Sequence, residues 1–298
     1  MSHRSRRTVA GFSILAPALA LALVLAGCSG GDEGSDIAGA GDSTTSASPT
    51  VAPPGPDDIQ YVALGDSYAA APGVPETDQT GGCLRSDSNY AHVLAEADDL
   101  YLTDVTCSGA TSQDVIDKQV PSLSKDTDVV TIGIGGNDFG LFGTLVRSCL
   151  SVGGEDAVGS PCTDALTDQI AQSGPKIQDN IGAALDAITA AAPQAEVYVV
   201  GYPRLLPETG TCPDLVPFAE GDYPLITTIV QALSAALKAE AEARDLTYVD
   251  AYGASDGHDI CSDDPWVNGL NVAPDGTVPF HPFAEEQAAV AALIEDMQ

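Results

Sequence analysis

The chain has 298 residues, with 43 acidic side chains against 11 basic ones and a net charge of −32. Arg4, Arg6 and Arg7 all fall before Cys28, so the rest of the chain is more acidic still. That balance speaks against nucleic acid as a partner, because phosphate binding needs clustered Lys and Arg, and against electrostatic docking on anionic lipid.

The segment 1–27 reads as an address. Three arginines precede an apolar run over 9–26, rich in Ala and Leu, which ends in Leu25-Ala26-Gly27-Cys28. A basic start, an apolar middle and small residues before a cut make a secretory signal, expected over 1–27. The cysteine directly after Leu-Ala-Gly resembles a bacterial lipobox. That pattern implies removal of the leader, acylation of Cys28 and anchoring on the outer face of the bacterial cell membrane, with part of the protein released. Stable attachment needs more than one acyl chain. An ordinary secretory signal and a retained signal anchor are the alternatives. The segment 28–58 is Gly, Ser, Thr, Pro, Ala and Asp with almost no large apolar side chain, so it is expected to form a flexible tether. The folded domain, expected to be monomeric, spans 59–298.

An apolar strand over 61–65 breaks at Gly65 into the polar turn Asp66-Ser67-Tyr68. The segment 69–89 is rich in Gly, Pro and polar side chains and reads as a loop. Helical periodicity covers 90–97 and a strand covers 101–105, leading into Thr106-Cys107-Ser108-Gly109-Ala110-Thr111. A short helix capped by Ser112 is predicted over 112–123. A strongly apolar strand over 128–134 ends in Gly135-Gly136-Asn137-Asp138. An Ala-rich helix follows over 175–191, then a strand over 196–201, a helix over 222–243, a strand over 247–250 and a closing helix over 284–297. Five strands alternating with helices predict an α/β fold with a parallel five-stranded sheet covered on both faces.

Six cysteines remain beyond Cys28. An even number in an exported chain suggests three disulfides. Sequential pairing, Cys83–Cys107, Cys149–Cys162 and Cys212–Cys261, is preferred among fifteen possibilities because each bridge then pins a local loop. No CxxC spacing or His cluster supports a metal site, and the sequence calls for no cofactor.

Ser67 follows a buried strand, where open α/β sheets carry their sites. It is a candidate nucleophile, which requires a positioned base and an oxyanion acceptor. Among the histidines, His3 leaves with the leader, His92 sits in a helix and His258 in a polar loop. His281 lies just before the last helix and is the candidate base. Gly109 and Asn137 each follow a predicted strand and are candidate oxyanion donors. Phe139, Leu141, Phe142, Leu145 and Val146 either line an acyl pocket or pack as the core face of a helix.

Gly65-Asp66-Ser67-Tyr68, Gly109, Gly135-Gly136-Asn137-Asp138 and His281 resemble, in order, the four blocks of the SGNH (GDSL-type) hydrolase superfamily. The six cysteines and Pro265-Trp266-Val267-Asn268-Gly269 resemble its secreted bacterial esterase/lipase branch. The resemblance implies a flavodoxin-like three-layer α/β/α fold, Ser67 as nucleophile, His281 as base, and an oxyanion hole of the Ser67 N–H, the Gly109 N–H and the Asn137 amide. It implies a carboxylic-ester hydrolase working through an acyl-serine intermediate on a small-molecule or lipid ester. A carbohydrate acyl esterase or a non-catalytic surface-binding lipoprotein are the alternatives. The family's Asp three residues before the His is Val278 here, and Asp275 lies six before. A backbone carbonyl, that of Val278, is therefore expected to orient His281, with Asp275 as the alternative.

Overall fold

The computed structural model describes residues 54–55, 58–154 and 157–298. The expected leader, Cys28 and all of the tether except Pro54, Gly55 and Asp58 lie outside the described residues.

Five strands form one parallel sheet: β1 (Gln60–Gly65), β2 (Tyr101–Asp104), β3 (Val129–Gly133), β4 (Glu196–Val200) and β5 (Thr247–Val249). Their spatial order is β2-β1-β3-β4-β5. Tyr61 to Gly65 stand opposite Val129 to Gly133 in register, so β1 and β3 end side by side. The chain moves one way from β1 to β2 and the other way from β1 to β3. This is a flavodoxin-like order, and the reversal opens a crevice at the carboxyl ends of β1 and β3.

The helices in chain order are α1 (Ser67–Ala70), α2 (Tyr90–Asp98), α3 (Ser112–Asp114), α4 (Leu141–Gly153), α5 (Pro161–Ala191), α6 (Tyr223–Glu242), α7 (Ala251–Ala254) and α8 (Ala284–Glu295). Side chains alternate across a strand, and β1 divides accordingly. Val62 and Leu64 join the core under α4, α5 and α6, with Leu145, Leu185, Ile188 and Leu237. Tyr61 and Ala63 join the opposite core under α2 and α8, with Leu94, Val290 and Ile294. Nearly every side chain of β1 and β3 is buried, as a parallel sheet covered on both faces requires.

Two predicted helices differ in detail. The segment after Ala110 is capped by Thr111 rather than Ser112. The Thr111 side chain and Asp114 form a reciprocal capping box, and the helix then continues through a wide turn over Val115–Gln119. The Ala-rich helix begins at Pro161 and carries Pro175 in its interior. Its start is held from a distance: the Asp222 carboxylate accepts the N–H of Cys162 at 3.1 Å and of Thr163 at 2.8 Å. Pro175 removes one internal hydrogen bond, while Leu166, Ile177, Ile181, Leu185 and Ile188 continue one buried stripe through it.

The cysteines pair 83–107, 149–162 and 212–261. The second bridge ties α4 to the first turn of α5, and the first ties the loop before α2 to the turn after β2. Closing loops of this length contributes about 3–4 kcal/mol per bridge in the chain-entropy view.

Candidate active site

The site is assembled at the crevice. β1 ends at Gly65 with φ +136°, and a Cβ there would sit 2.6 Å from the carbonyl oxygen of Gly133. Only glycine fits, and it turns the chain so that Ser67 opens α1. The side-chain amide of Gln119 completes this strand end where β2 has already stopped: Oε1 accepts the Gly65 N–H at 2.8 Å and Nε2 donates to the Gly65 carbonyl at 2.9 Å.

Asp66 is 1% exposed. Its carboxylate accepts the Tyr68 N–H at 3.0 Å, capping α1, and accepts the hydroxyl of Tyr202. That hydroxyl in turn accepts the Gly136 N–H at 3.0 Å. A Cβ on Gly136 would fall 2.6 Å from the Phe142 ring, so this approach also needs glycine. One buried chain of hydrogen bonds thus joins the turn after β1, the turn after β3 and the end of β4. Burial pushes the Asp66 carboxyl up to about 7, against the pull of the Tyr202 hydroxyl.

His281 lies in the loop before α8. Its Nδ1 is 2.8 Å from the carbonyl oxygen of Pro279. A carbonyl only accepts, so the proton sits on Nδ1 and the Nε2 lone pair is free to take a proton. Withdrawal from water lowers the imidazole below its ordinary 6.5, and the Pro279 bond opposes this. Tyr68 braces the same loop: its hydroxyl donates to the Phe280 carbonyl at 2.8 Å, and its ring stacks on His281 with centroids 5.8 Å apart.

The expected orienting carbonyl is therefore corrected by one residue, from Val278 to Pro279. The Val278 carbonyl accepts instead from the Asn268 amide at 3.2 Å, which also donates to the Thr277 and Asn271 carbonyls. Asp275 is exposed, and its carboxylate accepts the Thr277 N–H at 2.9 Å. Asn268 belongs to the Pro265–Gly269 segment singled out in the sequence, and its backbone N–H donates to the His281 carbonyl at 2.9 Å.

Ser67, Asn137 and His281 line one cavity of about 280 Å³, with Phe142, Val146 and Arg147 among its walls. The Ser67 hydroxyl and the imidazole line it together, and among the described residues no hydrogen bond joins the two. One Asn137 amide hydrogen is held by the Ala110 carbonyl at 3.1 Å, which leaves the other for a ligand. Gly109 lies beside this wall rather than in it, in the neighbouring depression with Cys107, Ala110 and Gln119. Its φ is +82°, and among the described residues neither its N–H nor that of Ser67 has an acceptor.

The apolar set after Asn137 divides by helical face. Phe142 and Val146 line the cavity, while Leu141 and Leu145 are buried core. Phe139 is 53% exposed at φ +53°. His92 and His258 stay outside: His92 lies 3.7 Å from Asp104 and His258 stacks on Trp266. Sequence reading does not single out Tyr202, Gln119 and Tyr68 for individual roles at the site. Nothing in sequence spacing marks a tyrosine so far along the chain from the carboxylate it holds.

Residues 63–288 match the model of the GDSL-like lipase/acylhydrolase family. The chain belongs to this family. Every block that builds the crevice, from Gly65 to His281, falls inside the match. Over 274 residues the chain is 38% identical to Lipase 2 of Streptomyces coelicolor, covering 86% of this chain and 90% of that protein. The phospholipase A1 of Streptomyces albidoflavus is similar in structure, with a TM-score of 0.71 and 29% identity over 81% of this chain and all of that one. The extracellular lipase of Streptomyces rimosus is comparably similar, with a TM-score of 0.71 and 28% identity over 80% of this chain and all of that one. As a GDSL-like acylhydrolase, the protein is an ester hydrolase with a five-stranded α/β fold.

A carbonyl cannot be removed by changing a side chain, and the Asp275 carboxylate accepts the Thr277 N–H while Pro279 holds the ring. Asp275→Asn is expected to keep kcat within a few-fold. The acid limb of kcat/KM in both proteins should lie below the ordinary imidazole value of 6.5, because the neutral base persists to lower pH when burial disfavours its cation. A pH profile with a loss of about 10⁴ in kcat for the variant, as removal of a triad carboxylate causes, would restore Asp275 as the partner of His281.

Proposed function

We propose that the protein is a carboxylic-ester hydrolase of the esterase/lipase type, with Ser67 as nucleophile and His281 as base. The observation that carries this reading is that Ser67, Asn137 and a His281 with a free Nε2 line one cavity at the switch point of the sheet. The Ser67 Oγ attacks the acyl carbonyl while His281 Nε2 takes its proton. The oxyanion that forms is met by the Ser67 N–H, the second Asn137 amide hydrogen and the Gly109 N–H. Collapse expels the alcohol, which takes the proton from the imidazolium, and leaves an acyl-serine. Water, deprotonated by the same His281, then releases the acid and restores Ser67.

Phe142, Val146, Leu205 and Phe280 on the cavity wall favour an alkyl acyl chain, each buried methylene contributing about 0.8 kcal/mol. A sugar has too little apolar surface to use such a wall. The orienting group is a neutral carbonyl, so no carboxylate stabilises the imidazolium, and a larger share of the rate rests on the oxyanion donors.

The purified protein is expected to hydrolyse p-nitrophenyl butyrate. His281→Ala should lower kcat by about 10⁴ or more. Asn137→Ala should lower it by about 10²–10³ with the melting temperature nearly unchanged. Retention of wild-type kcat in either variant contradicts the role given to that residue.

We further take the protein to be exported. The leader pattern and the three disulfides support this, since such bridges persist in oxidising compartments. Acylated Cys28 is proposed to hold it on the outer membrane face through the 28–58 tether. Cys28→Ala is expected to shift the protein from the membrane pellet to the medium in the producing cell. A variant that still sediments with membranes contradicts the anchor.

A further inference from the structure

Cations are scarce in this protein, and nearly all the described arginines are committed. Arg85 reaches Asp104 at 3.4 Å, Arg204 reaches Glu208 at 3.1 Å, and Arg244 reaches Asp186 at 2.7 Å and Glu240 at 2.6 Å. Arg147 is the exception: among the described residues it has no carboxylate or hydrogen-bond partner, in a chain of net charge −32. It lines the same cavity as Ser67 and His281.

Its placement is built into α4. Gly143 stands one helical turn before Arg147, and these two positions share a face. A Cβ on Gly143 would lie 3.0 Å from the Arg147 Nη1. The glycine thus leaves room for the guanidinium to fold back along the helix onto the cavity wall, and Gly143 lines the cavity too. Phe142 and Val146 flank it with apolar surface.

An unpaired guanidinium offers a fork of N–H donors that matches a phosphate or a carboxylate bidentately. A substrate that used every wall of this cavity would bring a carboxylic ester to Ser67, an alkyl chain to the apolar wall and an anion to Arg147. We propose that Arg147 recognises the phosphodiester of a glycerophospholipid whose acyl ester is presented to Ser67. The proposal rests on the ester-hydrolase reading above and adds the residue that selects the alcohol part of the substrate. It needs one local contact, and so is compatible with an acid-rich surface that does not dock on anionic membranes as a whole.

The test compares dibutyroyl-glycerophosphocholine, below its micellar concentration, with tributyrin, below its solubility limit, using the purified protein. The two carry butyrate on glycerol and differ at one position, which bears phosphocholine in the first and a third butyrate in the second. Arg147→Gln is expected to lower the ratio of kcat/KM, phospholipid over tributyrin, by about tenfold or more, in line with a charge-assisted hydrogen bond of about 1.5–3 kcal/mol. Arg147→Lys should fall between, because it keeps the charge and loses the fork. Gly143→Ala keeps the charge but displaces the guanidinium, and should lower the ratio several-fold while melting no lower than the wild type. A ratio unchanged in both Arg147→Gln and Gly143→Ala overturns the proposal, as does a wild-type protein that cleaves tributyrin and leaves the phospholipid intact. Cleavage of neither substrate by the wild type refutes the ester-hydrolase reading and this proposal with it.

Discussion

The buried carboxyl of Asp66 is the point on which the site depends. It caps the turn that presents Ser67 and takes the hydroxyl of Tyr202, which holds the Gly136 N–H in the turn that presents Asn137. Every member is withdrawn from water, so a missing partner leaves a polar group unsatisfied at a cost of about 1–3 kcal/mol. The two turns are therefore fixed relative to each other by hydrogen bonds rather than by packing alone. The register of β1 against β3 sets them side by side, and the Asp66–Tyr202–Gly136 chain holds that spacing at the level of single atoms.

His281, the proposed base, comes from a separate part of the chain and is positioned by separate means. Tyr68, the residue after Ser67, stacks on the His281 ring and holds the Phe280 carbonyl. Asn268 gathers the carbonyls of Asn271, Thr277 and Val278, and this shapes the loop so that the Pro279 carbonyl meets Nδ1. A carbonyl does the geometric part of a triad carboxylate's work: it fixes the tautomer and aims Nε2 at the cavity. It supplies no charge, so under the proposed mechanism the electrostatic burden falls on the proposed oxyanion donors, Asn137 among them.

Much of this was legible in the residues. The strands are short apolar runs that end in Gly-rich turns, and their alternation with helices leaves few topologies for a parallel sheet. The blocks around Ser67, Asn137 and His281 lie at strand or helix ends, which is where the crevice forms. What escaped sequence reading depends on contacts between distant segments. The start of α5 at Pro161 is set by Asp222, far along the chain, and local sequence places it only at Pro175. Gln119 replaces a strand neighbour for Gly65 from beyond β2 in the chain. The step from Val278 to Pro279 depends on where Asn268 places its amide, and no spacing rule carries that information.

Ser67 is proposed as the activated nucleophile, and covalent capture measures this most directly. The purified protein would be treated with a fluorophosphonate, digested and mapped by peptide mass spectrometry, beside His281→Ala. The expected result is one adduct, on Ser67, formed rapidly in the wild type and far more slowly in the variant. An adduct on another serine, or equal labelling of Ser67 with and without His281, would contradict it.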